Sequence, residues 1–231
     1  MIKRVYNISL LVTSAFVYLT WKLTEQIDLS GISNNTLQYA IMMLMDFVLA
    51  FGFFHVFAKV IIYLSNRINI VKRLILGASY VEGVWVGYYY LGDERRLVFC
   101  IEQIEQSLDD VVIVGEAYYE DKSYRGSWSS NDLVSIDVSN YSLVYLYSTD
   151  FVNPSFSNLG VANFRLQRRG HSTCPERLIG YTMNVGSKSK DITVEKKLSK
   201  LPHKYDTLQL LEKAIEFYHQ EIKREGNDES A

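Results

Sequence analysis

The residues best suited to bind a small ligand are tyrosines and arginines that occupy alternate positions, among other aromatic and polar residues, in three short segments at 142–149, 160–168 and 176–184. A two-residue period is typical of β-strands, so each set shares one face of its strand. Aromatic rings stack on nucleobases and arginine pairs with phosphate, so such faces would suit a nucleotide. Alternatively, the tyrosines fill a core and the arginines face solvent. Together with two residues of an earlier strand, the predicted ligand-binding residues are Trp85, Tyr89, Tyr145, Arg165, Arg177 and Tyr181.

No group of residues in the sequence builds a recognisable catalytic or metal site. The histidines at 55, 171, 203 and 219 have no cysteine, serine or carboxylate partner at an established spacing. Cys100 and Cys174 do not have the spacing of metal ligands, and the P-loop, HExxH and GxSxG motifs are absent. We therefore expect a protein that is not an enzyme and that uses no metal and no cofactor.

The charge of the chain argues against one class of partner. Of the 24 Lys and Arg residues 17 lie at 76–231, as do 23 of the 26 Asp and Glu residues, so this part has a formal charge of 17 − 23 = −6. A protein that binds a nucleic-acid duplex needs a basic surface. DNA and RNA polymers are therefore not expected partners, whereas a small dianionic ligand would need only about two or three arginines.

Two apolar segments, at 5–23 and 37–64, dominate the first part of the chain. Nineteen residues in a helix rise about 28 Å, close to the roughly 30 Å hydrocarbon core of a bilayer. A cleaved signal peptide is the alternative for the first segment, but residues 21–23 read WKL where small residues would be needed. In the second segment, fifteen Leu, Ile, Val and Phe residues outweigh one acidic and one basic residue. We therefore expect two transmembrane helices.

Basic residues predict the orientation of these helices. Lys3 and Arg4 precede the first helix, and Arg67, Lys72 and Arg73 follow the second, while the loop between the helices has no basic residue beyond its edge. The positive-inside rule then places both termini in the cytoplasm and the loop outside.

Asp46 lies within the second apolar segment and is the transmembrane residue that we predict to be functional. One interpretation is an aspartate that simply tolerates its depth in the membrane. The other is that Asp46 faces neighbouring helices, either as a hydrogen-bonding contact or lining a pore in an oligomer. The small residues Ala50 and Gly52 would permit close approach of a second helix.

From residue 79 to about 197, short alternating runs rich in Tyr and Val are separated by turn clusters, without a helical period. Eight or nine strands in hairpin order predict an antiparallel sandwich or a closed barrel, and closure removes two exposed edges. We expect an up-and-down β-barrel of about eight strands. The predicted strands lie near 80–91, 95–104, 111–119, 123–129, 133–138, 142–149, 160–168, 176–184 and 190–197.

A helical period returns at 206–224, and this helix should pack against the barrel or plug one of its mouths. Its predicted apolar stripe consists of Leu208, Leu211, Ile215, Tyr218 and Ile222. The tail at 226–231 is predicted to be disordered. The expected organisation is a transmembrane anchor at 1–75, a cytoplasmic ligand-sensing barrel at 76–203, and the helix with its tail at 204–231.

The first strand of the barrel, at 82–90, reads EGVWVGYYY. Its alternation puts Gly83, Trp85, Gly87 and Tyr89 on one face. A Trp with Gly two residues away on each side fits a strand that bends around a large interior ring, as at the start of barrels such as lipocalins. The plainer interpretation is a Trp that plugs the floor of the barrel.

Two transmembrane helices followed by a cytoplasmic β-rich domain that opens on E-G-x-W-x-G-Y-Y resemble the two-transmembrane, β-strand-rich effectors of CBASS antiphage operons, which are associated with SMODS-type nucleotidyltransferases. In that family the barrel binds a cyclic oligonucleotide made on infection, protomers oligomerise, and the helices disrupt the inner membrane. The resemblance implies a multi-pass protein of the bacterial inner membrane. Its implied partners are a cyclic di- or oligonucleotide second messenger, membrane lipid and further copies of the same chain.

Two other functions fit the same architecture. A tethered barrel could bind a lipid or another apolar ligand, as lipocalins do, or it could be an interaction module without a ligand. Inward-facing arginine would favour a nucleotide over a lipid.

Overall fold

The computed structural model describes residues 2–24, 35–92, 95–151, 159–168, 174–186, 189–198 and 206–228. The chain divides into two compact units, Met1–Leu76 and Gly77–Ala231. The first unit is helical, and the second contains a β-barrel with one long helix.

The helical unit consists of α1 (Ile2–Thr24), α2 (Asn35–Arg67) and α3 (Asn69–Leu76). Helices α1 and α2 pack together, and the rings of Phe16 and Phe53 stack with their centroids 3.7 Å apart. The predicted external loop between the two helices lies outside the described residues.

Helix α2 contains a segment, Tyr39–Leu64, of 26 residues with a mean hydropathy of 2.1. Within the described part of the chain, this is the one helix that is long and apolar enough to cross a membrane. Helix α1 exists as predicted, but its asparagine and hydroxyl residues dilute its apolar character. The structure therefore supports one membrane-spanning helix where the sequence predicted two.

Asp46 lies on the side of α2 that faces α1. The positions Asp46, Ala50 and Phe53 recur at helical spacing and are all partly buried, and Phe53 stacks on Phe16 of α1. Part of the surface of Asp46 is therefore covered by protein.

The second unit is a closed barrel of eight antiparallel strands in the order β1-β2-β3-β4-β5-β6-β7-β8, in which β8 pairs with β1. This confirms the predicted up-and-down barrel. The strands are β1 (Gly83–Leu91), β2 (Arg96–Gln106), β3 (Val111–Tyr119), β4 (Tyr124–Asp137), β5 (Ser142–Phe151), β6 (Leu159–Gln167), β7 (Arg177–Asn184) and β8 (Asp191–Lys197).

The nine predicted strands become eight because the segments 123–129 and 133–138 are one strand, β4. The pairing of β4 with β5 is irregular between Ser130 and Val134 and then resumes. The polar cluster at 129–132, which the sequence suggested to be a turn, is therefore a bulge. Bulges bend a strand without ending it, as barrel closure requires.

Helix α4 (Thr207–Asp228) packs on the outside of the barrel against β1 and β2, instead of plugging a mouth. This explains why β1 is buried on both of its faces: one faces the barrel interior and the other is covered by α4. The contact buries Val84, Val86, Tyr88, Phe99 and Ile101 of the strands beneath Leu210, Leu211, Ala214 and Phe217 of the helix. The predicted tail begins within α4, and residues 229–231 lie outside the described residues.

The predicted apolar stripe of α4 is rotated relative to the observed one. Leu211 is 1% exposed as expected, but Leu208 is 62% and Ile222 is 45% exposed. The buried line runs instead through Leu210, Ala214 and Phe217.

The rotation of the stripe predicts different effects for two leucines of α4. Leu211→Ala should lower the free energy of unfolding by roughly 2–5 kcal/mol, because it leaves a cavity between α4 and the barrel. Leu208→Ala, the matched control on the exposed side, should change it by no more than about 0.5 kcal/mol. Urea unfolding of the full-length chain in detergent measures both, and equal losses would contradict the observed packing.

Candidate functional site

One half of the barrel interior is a packed apolar core. Trp85 is fully buried there, and its indole N–H donates a hydrogen bond of 2.8 Å to the carbonyl oxygen of Val81. Gln106 closes the same end, since it accepts a hydrogen bond from the Val81 N–H (2.9 Å) and donates one to the Ser79 carbonyl (2.9 Å). This half anchors the start of β1. It is filled further by Ile104, Ile113, Leu143, Phe164, Leu166 and Leu178.

The other half of the interior holds a partly open, polar cavity of about 40 Å³. An enclosed water needs about 10–15 Å³ by the same measure, so the cavity has room for about three waters. Its walls combine aromatic rings, hydroxyl groups and carboxyl groups. They are formed by Tyr89, Cys100, Glu102, Arg125, Trp128, Tyr145, Tyr147, Thr149, Thr182, Asn184, Asp191, Thr193 and Glu195.

Two of the aromatic rings lie across glycines of neighbouring strands. Gly115 of β3 pairs with Trp128 of β4, and Gly160 of β6 pairs with Tyr147 of β5. A Cβ atom at either glycine would overlap the opposing ring. The absence of a side chain at these glycines therefore lets the rings lie flat along the wall, which leaves the centre of this half open.

Glu102 of β2 is the central polar residue of the cavity and is 2% exposed. Its Oε1 accepts a 2.6 Å hydrogen bond from the hydroxyl of Tyr145, which reaches across the interior from β5. The same oxygen accepts a 3.0 Å hydrogen bond from the indole N–H of Trp128. The Glu102 carboxyl group is also hydrogen-bonded to the carboxyl group of Glu195.

Glu195 of β8 is the second buried carboxyl group, at 1% exposure. It pairs in register with Gly87 of β1, next to the Trp85–Glu102 pair, so the two carboxyl groups flank β1 from its two sides. Its carboxyl group is hydrogen-bonded to that of Glu102, so the two groups share a proton above Gly87.

The two carboxyl groups titrate as an interacting pair. Burial raises the pKa of Glu102 to about 7, although the hydrogen bonds from Tyr145 and Trp128 oppose the shift. Burial, followed by the nearby Glu102 carboxylate, raises the pKa of Glu195 well above its ordinary value. Glu102 receives the donors and is the better-stabilised anion, so a protonated Glu195 beside it is the favoured state near neutral pH.

Arg125 of β4 is the basic side chain of the cavity wall. Its Nη1 donates a 2.8 Å hydrogen bond to the hydroxyl of Tyr89. Further toward the strand ends, the Tyr147 hydroxyl donates to the side-chain oxygen of Asn184 (3.2 Å), and Asp191 accepts from the backbone N–H of Gly92 (3.1 Å). The cavity is therefore acidic in its depth, and near the strand ends its described wall carries the cation Arg125 with the carboxylate of Asp191 nearby.

The structure separates the six predicted ligand-binding residues into two groups. Tyr89 and Tyr145 line the cavity. Trp85 faces inward but lies in the apolar core, with its N–H already bonded to Val81, as in the plainer interpretation. The other three lie on the outer surface of the barrel, so the prediction that they form part of an interior site is wrong.

Pairing register explains the outward orientation of Arg165, Arg177 and Tyr181. Directly paired residues of neighbouring strands share a face. Arg165 pairs with Ile179, and Tyr181 pairs with Asn163. Phe164 and Leu178 occupy the alternate positions of the same two strands and are buried in the interior, so both of these pairs face outward. Arg177 forms an ion pair with Glu221 of α4, and the ammonium group of Lys190 lies 4.2 Å from the ring centre of Tyr181.

Sequence reasoning missed Glu102, Glu195, Arg125 and Trp128 as cavity residues. The available signal was the phase of β2, in which Cys100, Glu102 and Ile104 alternate with Ile101 and the exposed polar residues Gln103 and Glu105. Both faces of β2 carry apolar residues, so the sequence alone does not show which face points inward. The pairing of Glu102 with the inward-facing Trp85 identifies the inner face.

Cys100 and Cys174 are both buried free thiols. In the described ranges, no group of three or more His, Cys, Asp or Glu side chains is arranged to hold a metal ion.

Comparison with known protein families gives no matching family model, and comparison with curated proteins gives no match either.

The raised pKa of Glu102 predicts how stability depends on pH. Its pKa in the folded protein is about 7, above the ordinary 4.5, so the folded state binds more protons between these values. The stability that Glu102 contributes is thus fully present below pH 4.5 and is lost as the pH rises through about 7. Gln cannot ionise, so Glu102→Gln should raise the free energy of unfolding near pH 8 by on the order of 2 kcal/mol, with little effect near pH 4.5.

Thermal unfolding of the full-length chain at several pH values measures this effect. The matched control is Glu105→Gln, on the exposed face of the same strand, which should follow wild type at every pH. A Glu102→Gln curve parallel to wild type would show that Glu102 does not titrate in this window.

Proposed function

We propose that the chain is a membrane-anchored receptor whose barrel binds a cyclic di- or oligonucleotide, and that binding drives several copies to assemble and disrupt the bacterial inner membrane. The observation that carries this proposal is the partly open polar cavity of a barrel that follows a helix able to cross a bilayer. The proposal is also the function of the CBASS effectors that the chain resembles.

The distribution of charge in the cavity favours one orientation of such a ligand. The buried carboxyl groups of Glu102 and Glu195 would repel phosphate, so the phosphates would lie toward the strand ends beside Arg125. The carboxyl oxygens of this pair would instead accept hydrogen bonds from N–H groups on the edge of a base. The rings of Tyr89 and Tyr147 would offer surfaces on which a base can stack.

The size of the cavity adds a requirement. About 40 Å³ accommodates a few waters but not a whole nucleotide. The ligand would therefore insert the edge of a base and keep its sugar–phosphate ring outside, or the barrel would widen on binding. In either case the ligand would contact Glu102, Glu195 and the Thr149 hydroxyl, which has no hydrogen-bond partner among the described residues.

The carboxyl pair argues against the alternative of an apolar ligand. The aromatic rings of the cavity wall could contact a lipid chain, but the chain would also cover Glu102 and Glu195 and exclude the solvent that reaches them from the open end. Covering these carboxyl groups without new hydrogen bonds would raise the cost of ionising either of them.

The membrane part of the proposal includes α1 as a second span. Helix α1 is 23 residues long and stacks on α2 through Phe16. Two of its hydroxyl groups, on Ser14 and Thr20, already donate to backbone carbonyls of the same helix at 2.9 Å, which lowers the cost of burying them in lipid. Two helices cannot enclose a pore, so membrane disruption requires an oligomer.

Ligand binding is tested with a matched pair of arginine variants. A cyclic dinucleotide at 100 times its dissociation constant should raise the free energy of unfolding by about 2.7 kcal/mol, or several degrees in Tm. Arg125→Ala should weaken binding about tenfold or more, because a charge-assisted contact to phosphate is lost. Arg165→Ala, which removes an exposed arginine from the outer surface, should leave binding unchanged.

The readout is thermal unfolding of the full-length chain in detergent with a panel of cyclic di- and trinucleotides. No shift with any of them, together with a shift on adding a fatty acid, would overturn the proposal in favour of the lipid-binding alternative.

Asp46 tests the link between assembly and the membrane. Asp46→Leu should preserve the thermal shift caused by the ligand, because the cavity is unchanged, but it should slow membrane depolarisation in cells that produce the ligand. The matched control is Val48→Leu, an exposed position on the same helix. Depolarisation at the wild-type rate in Asp46→Leu would show that Asp46 has no role, and toxicity of a chain lacking residues 1–64 would contradict the membrane mechanism.

A further inference from the structure

Helix α3 follows the membrane-spanning segment of α2 with almost no intervening chain. The segment ends at Leu64, α2 ends at Arg67 and α3 begins at Asn69. The backbone remains helical through this junction, since the Ile68 N–H donates to the Leu64 carbonyl (2.8 Å) and the Lys72 N–H to the Ile68 carbonyl (3.0 Å).

This short connection limits how far α3 can lie from the hydrocarbon core. At 1.5 Å per residue, Ile70 lies at most about 9 Å beyond Leu64 along the helix axis. The headgroup layer of each leaflet is roughly 5–8 Å thick. If α2 crosses the bilayer, the start of α3 therefore lies in or beside the headgroup layer.

The two sides of α3 differ in exposure. Lys72, Ile75 and Leu76 are buried, whereas Ile70 and Leu74 are each 79% exposed. Ile70 and Leu74 are four residues apart and so lie next to each other on one face. Two of the most exposed large apolar side chains among the described residues therefore share a face. If α2 crosses the bilayer, this face lies at the depth where lipid headgroups meet acyl chains.

The charged residues of α3 and of the end of α2 are all basic. Arg73 is exposed beside Leu74, and Arg67 is exposed at the end of α2. From residue 47 to residue 81 the sequence contains no Asp or Glu. Basic residues that flank a small apolar face are the pattern of helices that lie in the interface of anionic membranes.

We infer that the face of α3 formed by Ile70, Arg73 and Leu74 binds the headgroup region of an anionic bilayer. The inference rests on the proposed membrane function, because it requires α2 to span the bilayer. Ile70 and Leu74 would insert at the level of the first acyl carbons while Arg73 contacts lipid phosphate. The span would thereby continue into a surface helix instead of a free linker.

The test places an environment-sensitive fluorophore on single introduced cysteines of the full-length chain, in vesicles of phosphatidylcholine with or without phosphatidylglycerol. The native Cys100 and Cys174 are buried and are expected to remain unlabelled in the folded protein. Leu74→Cys reports on α3, Val56→Cys on the proposed span, and Leu208→Cys on an exposed site of α4.

We expect emission from position 74 to shift to the blue and to be quenched by lipids that carry a quencher near the headgroup. The effect should be larger with phosphatidylglycerol, and Arg73→Gln should remove that difference. Position 208 should behave as in water. If position 56 is quenched by acyl-chain quenchers but position 74 matches position 208, the span is correct and this inference is overturned. If neither 56 nor 74 senses lipid, the proposed membrane function fails together with it.

Discussion

Closure of β1 against β8 is the constraint on which the barrel unit depends, and Gly87 makes it possible. A Cβ atom at this position would overlap the carbonyl oxygen of Val194 and the side chain of Glu195. Without a side chain there, β1 approaches β8 closely enough to complete the ring of hydrogen-bonded strands. A closed ring has no free edge, so the interior is sealed along its sides and only its ends can admit a ligand.

Closure also determines the chemistry of the interior. It brings Glu195 of β8 to the side of β1 opposite Glu102 of β2, and it removes both carboxyl groups from water. Their shifted pKa values follow from this burial. The cavity thus contains a partly protonated carboxyl pair, whereas the other half of the barrel is an apolar core. Burying these carboxyl groups lowers the stability of the fold. Buried groups with shifted pKa values cluster at functional sites, which favours a role in binding.

The architecture of the barrel could be predicted from the sequence because it depends on local signals. The alternation of apolar and polar residues predicted the strands, and the turn clusters between them predicted an antiparallel hairpin order. The need to avoid unpaired strand edges favoured a closed barrel. The inward position of Tyr145 followed from the strand containing Leu143 and Thr149, whose polar and apolar faces differ clearly. The bulge in β4 was missed because a polar cluster has the same composition whether it forms a turn or a bulge.

The candidate site was predictable only in part, because its assignment depends on register. Tyr181 lies in a strand with apolar residues on both faces, so alternation alone could not tell which face points inward. In β6 the faces do differ, since Ala162, Phe164 and Leu166 alternate with Asn163, Arg165 and Gln167, and the prediction took the polar face of this strand as the ligand-binding one. Glu102 was overlooked because a buried carboxylate contradicts the expectation that charge lies outside. Its role emerges only from the partners that folding brings to it, Tyr145 and Trp128, which lie 43 and 26 residues away in the sequence.

The central claim is that the polar cavity and its rim are a binding site for a cyclic nucleotide. A crystal structure of the full-length chain with a cyclic dinucleotide that stabilises it tests this claim most directly. The account predicts phosphate density beside Arg125 and a base edge within hydrogen-bonding distance of Glu102 or Glu195. A ligand bound on the outer surface of the barrel, with the cavity unchanged, would contradict it.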